Sequence, residues 1–430
     1  MIRLAFIDLG TKLIQYFAEV SKSLEPDVHA CFYCIKPKPF SMSQRLGLDT
    51  HPANLNLFNL DPLPKEVEQQ ILNVKIITEN PDKQLLSRKL SRLYYSLQAF
   101  LEKQHIDAIF LWNGSNIVAR TASFLAEKNN LKAIYGENGY FHNTIQLDPK
   151  GVNQAASITS RIKDEYQQVA IDEIKLQQLR DMIEQYLHEN LPKYTPQQKK
   201  IKASLSTRLG GEIHKLLRSD LKFHHTLNKN IPTDPGTLPE NYIFIPLQVI
   251  KDSQLLIYSP LVGNDMEYFI STCHDAVRQV AKDYRIVIKL HPADLKNIDY
   301  SNLARLYPDV IWLKGYPINR LIQGASLVIT INSTVGLEAL LYNKAVITLG
   351  DNFYNVPEIV YHINRLQDLP EAIKYALANK PDKQKIQQLL YYLYHHYFTH
   401  GSWKNYSMQS INAVANKIRS LLKCTDHVIP

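Results

Sequence analysis

Four groups of polar residues stand at the ends of apolar runs, and their types define the chemistry open to this chain. The run Ile286-Val287-Ile288 delivers Lys289-Leu290-His291-Pro292 at its tip. Pro292 stops a strand and fixes His291 there, where an imidazole can donate a hydrogen bond to a phosphate and stabilise it as a leaving group. Alone, a histidine satisfied by a loop carbonyl is the plainer reading. The segment Thr330-Ile331-Asn332-Ser333-Thr334-Val335-Gly336-Leu337-Glu338 passes from strand to helix through small hydroxyl residues. Ser333 and Thr334 can cap that helix and also contact phosphate oxygens, because free N–H groups and the helix dipole favour an anion. Glu338, one turn on, is placed to hold a ribose hydroxyl. The alternative is a plain N-cap with Gly336 for tight packing. Taken together with His291, a nucleotide-phosphate site is the better reading.

The other two groups carry carboxylates. Gln248-Val249-Ile250-Lys251-Asp252-Ser253-Gln254 follows the first strand of the second half, so Asp252 reaches a cleft as a nucleophile or general base, or is simply a solvated turn residue. Glu137-Asn138-Gly139 ends a strand of the first half. A carboxylate facing the cleft there suits general acid/base work, although Asn138-Gly139 also builds a turn by itself. Asp148-Pro149-Lys150-Gly151-Val152-Asn153 is loop-like and can line the same mouth. No D-x-D type metal motif stands near these clusters. A single phosphate on a nucleoside monophosphate leaving group can be stabilised by protein donors without a divalent ion, so neither metal nor other cofactor is expected, and a CMP-sugar donor is favoured over a diphosphate one.

The elements that must position these groups alternate between strand and helix, which argues parallel sheets with crossover helices. In the first half, strands are expected over 3–9, 28–35, 107–113 and 131–135, with helices over 10–22 and 83–104. In the second half they are expected over 242–249, 285–290, 310–313, 327–331 and 345–349, with helices over 266–283 and 334–342. Residues 158–230 read differently: charged, Gln-rich and helical, broken at Pro192, Pro196 and Gly210-Gly211. The expected fold is α/β, two Rossmann-like doubly wound domains facing a cleft, which is the GT-B arrangement. Its expected parts are an N-terminal acceptor domain (1–157), a helical basic insertion (158–235), a nucleotide-sugar domain (236–400) and a C-terminal helix (401–430). Sugar-nucleotide 2-epimerases share this arrangement, so fold alone does not decide function.

Composition bounds the rest. Hydrophobic residues are 45% and charged residues 21% of 430, ordinary for a globular chain, and no run of about 18 apolar residues exists to span a membrane. The cysteines Cys31, Cys34, Cys273 and Cys424 are too few and scattered for a disulfide framework, which implies a reducing, cytoplasmic setting. Cys31 and Cys34 form a C-x-x-C without a second ligand pair and read as core thiols. The net charge is +8, and the stretch 193–229 holds nine Lys/Arg against Glu212 and Asp220. Such a segment is a solvated face or a dock for anionic inner-membrane lipid; nucleic acid is not expected, since no binding motif accompanies the charge. The aromatic run 391–398 reads as a helix packed on the core.

In order and spacing, Glu137-Asn138-Gly139, Gly151-Val152-Asn153, Gln248 with Asp252-Ser253-Gln254, Lys289 with His291-Pro292, and Thr330 to Gly336 resemble motifs of the capsule polysaccharide biosynthesis family of bacterial retaining β-Kdo glycosyltransferases. Asn343-Lys344 and Gly350 with Phe353-Tyr354 extend the likeness, which covers roughly residues 105–360. The resemblance implies transfer of Kdo from CMP-β-Kdo to a glycan or glycolipid acceptor in capsule or O-antigen synthesis. It implies Asp252 as nucleophile, Glu137 as acid/base, and His291, Ser333 and Thr334 on CMP. The candidate nucleotide set is then Gln248, Lys289, His291, Pro292, Asn332, Ser333, Thr334, Gly336 and Glu338. A transferase for another CMP-sugar of the sialic acid type, a UDP-sugar epimerase and a non-catalytic capsule assembly protein are the competing readings.

Overall fold

A computed structural model describes residues 1–57, 60–72, 83–187 and 227–423. The N-terminal half is built on β1 (Ile2–Ile7), β2 (Val28–Cys34), β3 (Asp49–Pro52), β4 (Ala108–Trp112), β5 (Lys132–Asn138) and β6 (Thr144–Asp148). The C-terminal half is built on β7 (Tyr242–Pro246), β8 (Arg285–Lys289), β9 (Val310–Leu313), β10 (Leu327–Thr330), β11 (Ala345–Thr348) and β12 (Tyr361–His362), and β13 (Thr399–His400) returns to the N-terminal sheet.

The strand order of the C-terminal sheet is β12-β11-β10-β7-β8-β9, and every pairing in it is parallel. Counted from β7 this is the doubly wound order 3-2-1-4-5-6. The strands are near-continuous apolar runs because helices cover both faces. Helices Met266–Val280 and Leu369–Ala378 close one face through Phe269, Ile270, Val277, Leu369 and Ile373. Helices Ile318–Gly324, Thr334–Leu341 and Lys383–Tyr392 close the other.

The N-terminal sheet has the order β13-β6-β5-β4-β1-β2-β3. Its first five strands wind in the same manner, and β6 and β13 are antiparallel additions. Helix Thr11–Leu24 and the C-terminal helix Met408–Lys423 pack on one face; Lys83–Lys103 and Ile117–Lys128 pack on the other. The chain therefore crosses back to its first half after Tyr397, tying the halves together. The aromatic run lies in a shared core: Tyr391, Leu393, Tyr397 and Phe398 are buried with Phe141, Ile158 and Tyr166. The fold is two Rossmann-like halves facing a cleft, the GT-B arrangement. Helices Ile162–Gln168 and Glu173–Leu187 lie between the halves in sequence, and residues 193–226 of the basic stretch lie outside the described residues.

Two local differences from the sequence reading have plain causes. Thr144–Asp148, for which the sequence pattern predicts no element, is a fully buried strand, antiparallel to β5 and joined to it by a tight turn. Asp148 does not line the mouth. Its carboxylate is buried as an anchor, accepting hydrogen bonds from the Lys150 N–H (2.8 Å), the Ser157 hydroxyl (2.7 Å) and the Tyr397 hydroxyl (3.2 Å).

Candidate active site

In an open doubly wound sheet, ligands bind where the strand order reverses, outside the carboxyl ends. In the C-terminal half that point lies between β7 and β10, so the segments after those strands must face each other. They do. Gln248 and Asn332 form a reciprocal pair: Gln248 Nε2 donates to Asn332 Oδ1 (3.0 Å), and the Asn332 backbone N–H donates to Gln248 Oε1 (3.0 Å). Asn332 Nδ2 then donates to the carbonyls of Gln254 (3.0 Å) and Tyr258 (3.1 Å). Asn332 thus clamps the strand-to-helix turn after β10 onto the short helix Ser253–Tyr258, which begins at Asp252.

Asp252 is the N-cap of that helix; its Oδ1 accepts from the Gln254 N–H at 2.8 Å. A carboxylate held by one oxygen at a helix start keeps its other oxygen for chemistry. Ser333 caps helix Thr334–Leu341, its hydroxyl accepting from the Val335 N–H at 3.2 Å, with Thr334 exposed beside it. His291 follows β8. The Ala293 N–H donates to its Nδ1 (3.1 Å), which places the proton of the neutral ring on Nε2 as a donor. Burial pushes the His291 pKa below the ordinary value, so the ring is neutral near pH 7.

The N-terminal half contributes Glu137 from the end of β5. Asn113 Nδ2 donates to its Oε2 (2.7 Å), and the Asn138 N–H (2.8 Å) and Nδ2 (2.9 Å) donate to Oε1. Burial nevertheless raises the Glu137 pKa above the usual carboxylate value, with the charge of Asp252 adding a smaller push the same way. Asn113 adopts φ 69° just past β4 to reach this carboxylate. Asn138 is itself held by the Trp403 indole N–H, which donates to its Oδ1 at 2.8 Å. At Gly139 no side chain fits: a Cβ would meet Thr144 Oγ1 at 2.0 Å, so the turn from β5 into β6 requires glycine.

These groups line one cavity of about 290 Å³ between the halves: Glu137, Asn113, Tyr140 and Asn153 on one wall, and Gln248, Asp252, Gln254, His291, Asn332, Ser333 and Thr334 on the other. Lys289, Pro292, Gly336 and Glu338 are not in that lining. Lys289 is buried at the end of β8, close enough to His291 for its charge to lower the His291 pKa. Pro292 is exposed past the strand end. Gly336 is a packing glycine, since a Cβ there would stand 2.5 Å from the Tyr354 hydroxyl. The Glu338 carboxylate, placed by the sequence reading at a ribose, instead accepts a hydrogen bond from the Tyr186 hydroxyl. Asn113 and Tyr140 join the site only through the fold. The signals available were an Asn-Gly pair ending an apolar run and an aromatic residue directly after Asn138-Gly139.

A cavity with carboxylates from opposite halves, a neutral imidazole N–H and a capped helix start can bind a phosphorylated sugar donor and attack it. Known proteins of similar sequence bear on the family to which the chain belongs. Residues 107–403 match the family described as capsule polysaccharide biosynthesis protein. The chain is 31% identical over 297 residues to Protein FixF of Sinorhizobium fredii, covering 69% of this chain and 61% of that protein. It is 26% identical over 295 residues to the capsule polysaccharide modification protein LipB of Neisseria meningitidis, covering 61% of this chain and 68% of that one. A 144-residue stretch is 30% identical to the capsule polysaccharide export protein KpsS of Escherichia coli, covering 32% of this chain and only 36% of that protein. Among solved structures, the β-Kdo 2,4 transferase of Thermosulfurimonas dismutans KpsC aligns over 75% of this chain and 92% of its own, with 17% identity and a TM-score of 0.47. Sequence, rather than that distant structural likeness, fixes the relationship: the chain belongs to the capsule polysaccharide biosynthesis protein family.

Proposed function

We propose that this protein is a retaining β-Kdo transferase that moves Kdo from CMP-β-Kdo to a glycan or glycolipid acceptor. The observation that carries the reading is the convergence of Glu137, Asp252, His291, Ser333 and Thr334 on one cavity at the strand-order reversal. In this reaction the free oxygen of Asp252 attacks the anomeric carbon as the bond to the CMP phosphate breaks. The His291 Nε2–H and the Ser333-Thr334 helix start take up the charge developing on that phosphate. An acceptor hydroxyl then displaces Asp252 from the same carbon, and its proton passes to Glu137. Two inversions give net retention. A base with a pKa raised towards working pH suits the second step. No metal is required in this scheme, because protein donors can stabilise the charge of a single phosphate.

The acceptor is expected in a second, polar cavity of about 740 Å³, walled by His142, Gln185, Tyr394, His400 and Ser402. The turn between β5 and β6 contributes Gly139 and Tyr140 to the first cavity and His142 and Asn143 to the second. Lys251, exposed beside Asp252, is the better candidate to hold the Kdo carboxylate, since Lys289 is buried outside the cavity lining. The basic stretch 193–229 would keep the enzyme at anionic inner-leaflet lipid; binding to such vesicles that vanishes at high salt is expected, and salt-independent binding would count against it.

Incubation with CMP-Kdo, CMP-sialic acid and a UDP-N-acetylhexosamine separates the readings. CMP release from CMP-Kdo alone supports the proposal. Release from CMP-sialic acid assigns another sugar, and turnover of the UDP-sugar assigns an epimerase. A non-catalytic assembly protein would turn over none and show no thermal stabilisation by CMP.

A further inference from the structure

On the opposite side of the N-terminal half, β2 and β3 present a second constellation that the reaction does not use. Side chains alternate along a strand, so His29 and Cys31 share one face of β2, and Asp49 and His51 share one face of β3. The parallel register sets Cys31 beside Asp49 and Tyr33 beside His51. The four side chains therefore gather on one face. His29 Nε2 lies 2.9 Å and Cys31 Sγ 3.3 Å from Asp49 Oδ2, and the ligand atoms of these three residues all lie within 4.8 Å of one another. His51 Nε2 sits 2.8 Å from the other carboxylate oxygen, Oδ1, and this nitrogen is buried without a properly directed hydrogen bond.

The geometry points to a structural site for a zinc-type divalent ion, with His29, Cys31 and Asp49 as ligands and His51 orienting the carboxylate or completing the set. An imidazole, a thiolate and a carboxylate are the donors that zinc and cobalt take in tetrahedral sites. At bond lengths of about 2.0–2.3 Å, tetrahedral ligand atoms stand about 3.3–3.8 Å apart, so the observed spacing needs only small side-chain adjustments to admit an ion. Thiolate and carboxylate together balance a divalent charge. The competing cation is Arg3 on β1, whose guanidinium lies 3.4 Å from Cys31 Sγ and 3.8 Å from Asp49 Oδ2. Arg3 also reaches Gln104 Oε1 at 3.3 Å and is partly exposed, so it has an alternative when an ion enters. The Phe100 ring, 5.2 Å from that of His51, walls the site from the core side. The ion would pin β3, a four-residue strand at the sheet edge, to its neighbour. The C-x-x-C pair is not the ligand set: Cys34 faces the opposite core from Cys31, because residues three apart point to opposite sides of a strand.

The test uses the full chain, stripped with a chelator and titrated with Co²⁺, then Zn²⁺. We expect one Co²⁺ per chain with a thiolate-to-cobalt charge-transfer band, bleached by Zn²⁺. The band should be lost in Cys31→Ser and kept in Cys34→Ser. Zn²⁺ should raise the thermal midpoint of the wild type and leave that of His29→Gln, a partly exposed position, unchanged. Substoichiometric binding overturns the proposal, as does a band that survives Cys31→Ser or an equal Zn²⁺ stabilisation of His29→Gln. In those cases the cluster is a hydrogen-bonded ion pair of Asp49 with Arg3. Release of CMP from CMP-Kdo is expected to be unaffected by chelation, so failure here leaves the transferase reading intact.

Discussion

Replacing Asn332 by alanine should damage stability and catalysis together, although Asn332 touches no reacting atom in the proposed scheme. The side chain is 3% exposed and makes three hydrogen bonds near 3.0 Å: from Gln248, to the Gln254 carbonyl and to the Tyr258 carbonyl. Each such bond contributes about 1 kcal/mol net, and removal leaves buried partners short of a bond, so a loss of about 3 kcal/mol is expected. Trp312, buried on β9, reports unfolding of the C-terminal sheet by fluorescence in a Trp112→Phe/Trp403→Phe background. Urea titration of that background with and without Asn332→Ala gives the difference. Because Asn332 clamps the Ser333 cap to the helix that starts at Asp252, stabilisation by CMP should shrink in the same variant. Asn332→Asp should be worse, since a carboxylate oxygen would then face two carbonyl oxygens. An unfolding free energy unchanged within about 0.5 kcal/mol, with full CMP stabilisation, would refute the clamp.

Asp252→Asn should abolish transfer yet keep the fold, because an asparagine side-chain oxygen still caps the helix; circular dichroism and product mass spectrometry check both halves of that statement. His291→Ala should cost about 10²–10³-fold in kcat, the usual loss of one donor to a developing oxyanion, measured by CMP release. The acceptor-dependent step should fade as pH falls through the raised Glu137 pKa, since protonation removes the base. The acid limb of the pH profile should therefore lie above the ordinary carboxylate range and disappear in Glu137→Gln, where residual activity should be independent of pH. Gly336→Ala should destabilise by about 1–3 kcal/mol by pushing Tyr354, whose hydroxyl donates to the Ser333 carbonyl, read as a lowered thermal midpoint.

Much of this was legible in the sequence because apolar runs ending in polar tips are what parallel strands with ligand-binding ends look like. The runs at 242–246, 285–289, 327–330 and 345–348 formed strands, and the residues just past three of them meet in the cavity. What was not legible depended on contacts distant in sequence. Glu338 has the right helical spacing from Thr334 to point towards a nucleotide, but Tyr186, from a helix 152 residues earlier, takes its carboxylate. Asp148 is polar by type yet buried, because Ser157 and Tyr397 arrive from other segments to satisfy it. β13 has only two residues, too few for any periodicity to register. The return of the chain to its first half follows from helix Met408–Lys423 finding the apolar face of β5 and β6 beside helix Thr11–Leu24, which no local pattern announces.

The proposed mechanism requires Asp252 to become covalently bonded to the sugar. Intact-protein mass spectrometry of Glu137→Gln mixed with CMP-Kdo tests it most directly, because the first displacement can proceed while the second lacks its base. We predict a mass increase of one Kdo residue, mapped to the peptide carrying Asp252, with one equivalent of CMP released and no adduct in the Asp252→Asn/Glu137→Gln double variant. Release of CMP with no adduct, or an adduct that persists without Asp252, would contradict the account.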